Sequence, residues 1–335
     1  MFEKAAILGA GSWGMAIARL LHNNGLTVCL WEFDRQEYEK LRKFRGHPDK
    51  LKGFVLPEPV VVTNDLFEAV SGSRLIVLAV PSQFLRSVLV RLRGKLAPEV
   101  GLVNLAKGIE TRTLKRMSEV IAEELDPPRE QVVTISGPSH AEEVTVDMPT
   151  AVVAAGSDDE FVTRVQEAFS SRSFRVYKSD DLVGVELGGS LKNIIAIAAG
   201  IADGLGMGDN TRGAIITRGL AEITRLGLVL GARAETFAGL SGIGDLVTTC
   251  TSRHSRNRFV GERIGQGERL SEVLAGMHMV AEGVETTRSG YELAGIHNVE
   301  MPITREAFLV LFEEKPPSVA VEELMGRELK AEIWQ

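Results

Sequence analysis

The chain has 335 residues, which is long for a single domain and predicts two. Forty-four per cent of its residues are hydrophobic and 25% are charged, as in ordinary globular proteins. The net charge is −7 and no basic block is present, which argues against a nucleic-acid surface. An anionic ligand must therefore be held by cations that cluster locally.

Cysteine and histidine usage gives no sign of disulfide or metal chemistry. Cys29 and Cys250 form no C-x-x-C pair, and the first residues show no secretory pattern, so we expect a cytoplasmic protein. The six histidines have no metal-ligand spacing, and no metal is expected. The longest uncharged helical stretch, 193–202, is too short to cross a bilayer, so we expect no membrane insertion.

Residues 5–14 combine an apolar run with the pattern G-x-G-x-x-G, formed by Gly9, Gly11 and Gly14, and a helical pattern follows. Gly9 allows the tight turn, Gly11 lets a pyrophosphate approach the backbone, and Gly14 lets the helix and strand pack closely. A second apolar run ends near Glu32 and Asp34, about 20 positions later, where such units place the acid that binds the ribose. The stretch predicts a dinucleotide site; a plain glycine-rich turn is the alternative.

Further apolar runs of strand character alternate with helical segments in the first half of the chain. The runs lie at 60–63, 75–80, 100–106, 132–136, 151–155 and 174–177, and the helical segments include 83–93, 113–124 and 159–170. This alternation predicts an α/β domain with a doubly wound, Rossmann-type parallel sheet.

Beyond Tyr177 the pattern is helical almost throughout. Helices are predicted near 185–203, 213–230, 258–267, 271–275, 285–295, 302–312 and 318–325. We therefore assign a dinucleotide-binding domain to residues 1–181 and an all-α domain, which binds substrate and carries catalysis, to residues 182–335. Ligands of such sheets bind beyond the carboxyl ends of the strands, so the second domain is expected to close over that edge.

Two polar segments follow buried strands at that edge. Lys107 follows the run 100–106, and Ser136-Gly137-Pro138-Ser139 ends the run 132–136. Catalytic side chains arise at this edge, and small residues there let a ligand approach the backbone. A solvated lysine and an ordinary Gly-Pro turn are the alternatives.

The predicted helix at 185–203 contains the most informative segment. Gly188 and Gly189 together cost about 2 kcal/mol relative to alanine, so either a ligand or another helix must approach closely. Lys192 and Asn193 are flanked by apolar residues. Burial would lower the pKa of Lys192 and suit it to acid–base catalysis. A lysine that extends from the helix edge into solvent is the alternative.

A last polar segment contains Asp245, several hydroxyl residues and then Ser255-Arg256-Asn257-Arg258. Arg256 can make a bidentate contact with a phosphate, and Ser255 or Asn257 can add hydrogen bonds. This segment supplies the local positive charge that an anionic ligand needs. A solvated loop that starts a helix is the alternative.

Taken together, seven motifs resemble those of the bacterial soluble NAD(P)-dependent glycerol-3-phosphate dehydrogenases in the same order. They are Gly-Ala-Gly-Ser-Trp-Gly at 9–14, Ala-Lys-Gly at 106–108, Ser-Gly-Pro-Ser at 136–139, Leu-Lys-Asn at 191–193, Gly-Ile-Gly-Asp-Leu at 242–246, Ser-Arg-Asn-Arg at 255–258 and Val-Ala-Glu-Gly at 280–283. That family interconverts dihydroxyacetone phosphate and sn-glycerol 3-phosphate for phospholipid synthesis.

The resemblance implies that Lys192 exchanges a proton with the carbonyl oxygen while the nicotinamide supplies the hydride, and that Lys107 and Asp245 polarise and orient the substrate. It implies a substrate site formed by Lys107, Gly137, Ser139, Lys192, Asn193, Asp245, Ser255, Arg256 and Asn257. It implies a cofactor site formed by Gly9, Gly11, Ser12, Trp13, Gly14, Glu32, Phe33, Lys107, Ala141, Arg256, Val280 and Glu282. It also implies a homodimer.

The chain departs from the family pattern at two places. Many members have basic residues after the second strand, whereas this chain has Trp31-Glu32-Phe33-Asp34-Arg35. Two acids repel a 2′-phosphate, so NAD(H) is expected over NADP(H), with Phe33 as a platform for adenine; Arg35 could turn inward and permit NADP(H). His140 stands where members often carry Phe, which leaves its relation to the cofactor open.

Two other functions fit parts of this pattern. One is a different two-domain dehydrogenase that acts on a hydroxyacid or ketoacid such as ketopantoate, since the Arg256 segment could hold a carboxylate. The other is a binding protein that senses NADH without turnover, which would have no need of a buried Lys192.

Overall fold

An eight-stranded sheet forms the N-terminal half of the protein, in the strand order β3-β2-β1-β4-β5-β6-β7-β8. The computed structural model describes residues 2–126, 131–277, 279–329 and 331–332. The strands are β1 (Lys4–Leu8), β2 (Thr27–Trp31), β3 (Val61–Thr63), β4 (Leu75–Leu78), β5 (Gly101–Asn104), β6 (Val132–Ser136), β7 (Thr150–Gly156) and β8 (Phe174–Ser179).

Helices cover both faces of this sheet. They are α1 (Ser12–Asn23), α2 (Arg35–Phe44), α3 (Leu66–Val70), α4 (Ser82–Leu92), α5 (Met117–Leu125), α6 (Ala141–Val144) and α7 (Asp159–Phe169). Strand β1 shows why the runs are apolar throughout: Ala5 and Ile7 pack into the core on one face, and Ala6 and Leu8 into the core on the other. The predicted doubly wound α/β domain is therefore confirmed.

The sheet is mixed, whereas a parallel sheet was predicted. Strands β6 and β7 are antiparallel, while every other neighbouring pair is parallel. A parallel return needs a crossover long enough for a packed helix, and the segment between β6 and β7 holds only the four-residue helix α6. Strand β7 therefore runs back along β6.

After β8 the described residues form helices and no further strand. The helices are α8 (Leu182–Gly204), α9 (Asp209–Val229), α10 (Ala234–Phe237), a π-helical turn (Leu240–Gly244), α11 (Asp245–Thr251), α12 (Arg256–Gly265), α13 (Leu270–Ala275), α14 (Glu282–Ile296), α15 (Pro302–Phe312) and α16 (Pro317–Met325). The all-α second half is confirmed, although α10 and α11 were not predicted.

Helix α8 is the centre of this helical half, and α9, α11, α12 and α14 all pack against it. By length and composition it could cross a membrane, but 83% of its most apolar 18-residue segment is buried inside the protein. The helix extends on both sides of the uncharged stretch 193–202, close to the predicted range 185–203, and it buries Lys192. Its apolar character is that of a core helix.

Gly188 and Gly189 of α8 are explained by packing between elements. A Cβ atom on Gly188 would lie 2.5 Å from the carbonyl oxygen of Ser241, and one on Gly189 would lie 2.4 Å from Oγ of Ser136. Helix packing, as predicted, therefore accounts for Gly188, whereas Gly189 is crowded by the end of β6. The approach brings α8 against the carboxyl edge of the sheet, where Lys107 also lies.

Candidate active site

A cavity of about 570 Å³ lies between the carboxyl edge of the sheet and the helical half. It collects residues from both halves of the chain. The predicted site residues that line it are Gly9, Gly11, Ser12, Trp13, Gly14, Glu32, Phe33, Lys107, Ser139, Ala141, Lys192, Asn193, Ser255, Arg256, Asn257, Val280 and Glu282. Gly137 and Asp245 do not line the cavity, but each contacts a lysine that does.

The glycine turn shapes one end of the cavity. Gly9 has φ +110°, and a Cβ atom there would lie 2.7 Å from the carbonyl oxygen of Ala79. A Cβ atom on Gly14 would lie 1.9 Å from the carbonyl oxygen of Gly9, so only glycine lets α1 start here. The first turn of α1 borders the cavity and carries the unpaired amides that suit an anion.

One carboxylate holds two ammonium groups at the other end. Nζ of Lys192 lies 2.5 Å from Oδ1 of Asp245, and Nζ of Lys107 lies 2.7 Å from Oδ2. Lys192 also donates to Oγ1 of Thr249 at 2.6 Å, and Lys107 donates to the carbonyl oxygen of Gly137 at 2.9 Å. The three charges come from the segment after β5, from α8 and from α11, so tertiary packing assembles them.

Burial sets the protonation behaviour of this group. Lys192 is 5% exposed, and burial lowers its pKa to about 8 against the opposing attraction of Asp245. Burial acts to raise the pKa of Asp245, but Lys107 and Lys192 outweigh it and hold that pKa below its ordinary value. Lys192 is therefore buried, as the sequence predicts, and its pKa lies closer to neutrality than that of an ordinary lysine.

A chain of amide hydrogen bonds fixes the surrounding segments. Nδ2 of Asn193 donates to the carbonyl oxygen of Lys107 at 3.1 Å, and Nδ2 of Asn257 donates to Oδ1 of Asn193 at 2.8 Å. The backbone N–H of Gly283 donates to Oδ1 of Asn257 at 2.9 Å. Both asparagines border the cavity, yet much of their hydrogen bonding ties the β5 edge to α8, α12 and α14.

The Ser255-Arg256 segment does start a helix, and it still borders the cavity. Oγ of Ser255 accepts a hydrogen bond from the backbone N–H of Arg258 at 3.2 Å and caps α12. Arg256 is exposed and donates to the carbonyl oxygen of Val280 at 2.8 Å. The structure therefore places Lys192 in the interior of the site and Arg256 at its rim.

The carboxylate of Glu282, at the start of α14, binds the N-terminus of α4. Its Oε1 accepts a hydrogen bond from the backbone N–H of Ser82 at 2.8 Å, at the start of α4. A carboxylate at a helix N-terminus is favoured by the unpaired amides and the helix dipole. Glu282 thus fastens the helical half to the sheet edge beside the cavity.

Several cavity residues were not predicted. Phe84 is 56% exposed and borders the cavity together with Phe33, which is 71% exposed. The sequence did contain a signal for Phe84, since an aromatic residue stands there in the first helical turn after strand β4. Lys50 also borders the cavity, whereas Arg35 is exposed at the start of α2 and is not part of the lining.

His140 lies in the same cavity lining, where its ring centre is 5.9 Å from that of His254. Its Nε2 atom is buried and has no hydrogen-bond partner among the described residues. Burial, and then the positive charges of Lys192 and Lys107, lower the pKa of His140 to about 4. The imidazole is therefore neutral at physiological pH.

Relatives of this chain carry one consistent description. A glycerol-3-phosphate dehydrogenase [NAD(P)+] of Geobacter sulfurreducens is 53% identical over 335 residues, with 100% of both chains covered. The crystal structure of a glycerol-3-phosphate dehydrogenase from Coxiella burnetii superimposes with a TM-score of 0.93 at 39% identity, covering 97% of this chain and 99% of that one.

More distant structures share the architecture alone. A ketopantoate reductase family protein from Ralstonia eutropha gives a TM-score of 0.61 at 15% identity, covering 96% of this chain and 99% of that one. Two family models match the chain directly: the N-terminal model of NAD-dependent glycerol-3-phosphate dehydrogenase over residues 4–162, and the C-terminal model over residues 181–322. The chain belongs to the NAD-dependent glycerol-3-phosphate dehydrogenase family.

Proposed function

We propose that the protein reduces dihydroxyacetone phosphate to sn-glycerol 3-phosphate with a nicotinamide cofactor, and so supplies the glycerol backbone for phospholipid synthesis. The observation that carries this proposal is the group formed by Lys192, Asp245 and Lys107, which opens onto the same cavity as the glycine turn. Family membership supports the choice of substrate and cofactor.

When bound, the reduced nicotinamide supplies the hydride to the carbonyl carbon. The carbonyl oxygen then gains negative charge, and the Lys192 ammonium stabilises that charge and delivers the proton. Lys107 adds a second positive charge and is aimed by Asp245 and the carbonyl oxygen of Gly137. In the direction of oxidation, neutral Lys192 accepts the proton of the alcohol.

Arg256 is the group that we assign to the substrate phosphate at the rim, where it is also near the nucleotide. Its guanidinium can make two parallel hydrogen bonds to phosphate oxygens. Ser139, Ser255 and Asn257 lie in the same lining and complete the proposed phosphate side, while Asn193 lies beside Lys192 at the carbonyl side.

The proposed cofactor position follows from the residues that line the cavity near the glycine turn. Gly9, Gly11, Ser12, Trp13 and Gly14 would hold the pyrophosphate at the start of α1. The ribose would meet Glu32 and the adenine would meet Phe33. Ala141, Val280 and Glu282, with Lys107 and Arg256, complete the proposed cofactor contacts, and we assign a preference for NAD(H).

The setting of the enzyme is part of the same proposal. We assign it to the cytoplasm as a homodimer, with no nucleic acid and no membrane insertion. The division into a cofactor domain at 1–181 and a substrate domain at 182–335 agrees with the end of β8 at Ser179 and the start of α8 at Leu182.

The decisive assay measures NADH oxidation with dihydroxyacetone phosphate. We expect turnover, and we expect Lys192→Ala to lower kcat at least about a hundredfold while NADH affinity stays within about twofold. Lys95→Ala, at an exposed lysine remote from the cavity, is the matched control. Turnover of a β-hydroxyacid or ketopantoate in place of dihydroxyacetone phosphate would overturn the substrate assignment, and unchanged kcat in Lys192→Ala would remove Lys192 from its role.

A further inference from the structure

Lys50 lies in the loop between α2 and β3, which no sequence pattern connected with the site. The loop is anchored against the glycine turn, because Oγ of Ser12 donates to the carbonyl oxygen of Lys50 at 2.5 Å. Nδ1 of His47 accepts hydrogen bonds from the backbone N–H groups of Asp49 and Lys50, both at 3.2 Å. The backbone of Lys50 is therefore held in place at the cofactor end of the cavity.

The ammonium of Lys50 lies between two carboxylates. Its Nζ atom is 2.9 Å from Oε2 of Glu37 and 3.7 Å from Oε2 of Glu32, and the Lys50 side chain is 15% exposed. Glu37 also accepts a hydrogen bond from Lys40 at 2.7 Å and contacts His47. Glu37 thus has other cationic or hydrogen-bonding partners and does not depend on Lys50 alone.

Glu32 is left with one oxygen available to a ligand. Its Oε1 accepts a hydrogen bond from the backbone N–H of Asp34 at 3.0 Å. Its Oε2 is too far from Lys50 for a hydrogen bond but close enough for electrostatic attraction. A ribose hydroxyl can therefore donate to Oε2 while the Lys50 charge stays adjacent.

A phosphate on the ribose 2′-oxygen would meet opposite influences here. Glu32 follows β2, at the position where a dinucleotide-binding unit contacts that ribose. The carboxylate of Glu32 repels a phosphate. The neighbouring ammonium of Lys50 attracts a phosphate, and the lysine side chain is long enough to turn toward it. Arg35, the basic residue that the sequence places next to Asp34, does not border the cavity.

We propose that Lys50 is the specificity-determining residue that lets this site accept a 2′-phosphorylated cofactor in spite of Glu32. The inference rests on the proposed use of a nicotinamide cofactor. It goes beyond that proposal because it attributes the relative affinity for NADH and NADPH to the opposite charges of Lys50 and Glu32. Glu32 favours the free ribose hydroxyl, and Lys50 limits the penalty for the phosphate.

The test measures binding of two adenosine fragments by titration calorimetry: AMP and adenosine 2′,5′-bisphosphate. We expect Lys50→Met to weaken the bisphosphate about tenfold or more and to leave AMP within about twofold. Lys50→Arg keeps the positive charge and should retain most of the bisphosphate affinity. Lys52→Met removes an exposed lysine of the same loop and should change neither ligand. The loss in Lys50→Met should shrink at high salt, because screening weakens a charge contact.

Kinetics provide the second arm. In Lys50→Met, kcat/KM for NADPH should fall about tenfold or more, while kcat/KM for NADH stays within about threefold. Equal losses for AMP and the bisphosphate would show that Lys50 only supports the loop, and unchanged bisphosphate binding would show that its charge is not used; either result overturns the inference. If Lys50→Met does not fold, Lys50→Gln replaces it. Failure of the proposed function is separate, because the fragment titrations need no turnover of dihydroxyacetone phosphate.

Discussion

Nζ of Lys192 lies 2.5 Å from Oδ1 of Asp245, and this contact joins a buried ammonium on α8 to a buried carboxylate on α11. Lys107 occupies the second carboxylate oxygen at 2.7 Å. Two ammonium groups and one carboxylate leave one excess positive charge within this three-residue group. That excess suits an anionic substrate in a chain whose net charge is −7.

The protonation of Lys192 predicts opposite pH dependence in the two directions. Its pKa is lowered to about 8, so the charged form that donates a proton is lost as pH rises through 8. We expect kcat for ketone reduction to fall above about pH 8, and kcat for alcohol oxidation to rise up to about pH 8. Profiles of kcat against pH, measured in both directions, check this. Two parallel profiles would show that another group controls the reaction.

Asp245→Asn should move that pH dependence. The carboxylate favours the charged form of Lys192, so its removal leaves burial and Lys107 to lower the pKa of Lys192 further. The descending limb of the reduction profile should shift to lower pH by about one unit or more. Thr249→Val removes one hydrogen bond to Lys192 and keeps the carboxylate, so it should shift the limb less. A limb that stays near pH 8 in Asp245→Asn would contradict the electrostatic role of Asp245.

Cofactor choice should depend on Glu32. We expect the wild type to have higher kcat/KM with NADH than with NADPH, and Glu32→Gln to raise the value for NADPH about tenfold by removing like-charge repulsion. Glu39→Gln, at an exposed acid on α2, is the matched control. Steady-state kinetics with both cofactors check the prediction. Equal wild-type values for NADH and NADPH would refute the preference.

Two helical glycines should respond oppositely to alanine. In Gly188→Ala the new Cβ atom would lie 2.5 Å from the carbonyl oxygen of Ser241, and that overpacking should cost about 1–3 kcal/mol of stability. Gly213 on α9 has open space around its Cβ position, so Gly213→Ala should stabilise by about 0.5–1 kcal/mol. Chemical denaturation of the two variants measures both effects. A stable Gly188→Ala variant would mean that the π-helical turn moves aside easily.

Glu222 should make stability fall as pH rises toward neutrality. Its carboxyl group is 1% exposed and accepts hydrogen bonds from the N–H groups of Ile303 and Thr304 at the start of α15. Burial raises its pKa from 4.5 to about 7, in spite of those hydrogen bonds. The folded state therefore binds the proton more tightly than the unfolded state. The stabilisation is complete below about pH 4.5 and is lost as pH rises through 7.

Comparison with Glu222→Gln isolates this effect. The stability difference between wild type and Glu222→Gln should change by up to about 3 kcal/mol between pH 4.5 and 7, in the direction that disfavours the wild type at higher pH. Glu292→Gln, at an exposed acid on α14, should show no such trend. Denaturation at several pH values provides the measurement. A constant difference would show that Glu222 stays ionised in the folded protein.

Much of the framework follows from local sequence signals. The pattern of Gly9, Gly11 and Gly14 after an apolar run predicted the turn and α1, because a tight turn and a close helix–strand contact depend on neighbouring residues. The apolar surroundings of Lys192 predicted its burial. The antiparallel β7 was missed, because strand direction depends on how the chain returns to the sheet, and apolar runs do not carry that information.

The sequence by itself determined the two-part architecture, the dinucleotide turn and the chemical types of the groups that face the cavity, since each depends on residues close together in the chain. Only the tertiary structure decided that Asp245 holds both Lys107 and Lys192, that Arg256 lies at the rim, and that Lys50 stands beside Glu32. The physical reason is that these contacts join separate elements. For Lys107, Lys192 and Asp245, the packing of α8 at Gly188 and Gly189 against its neighbours sets the distances.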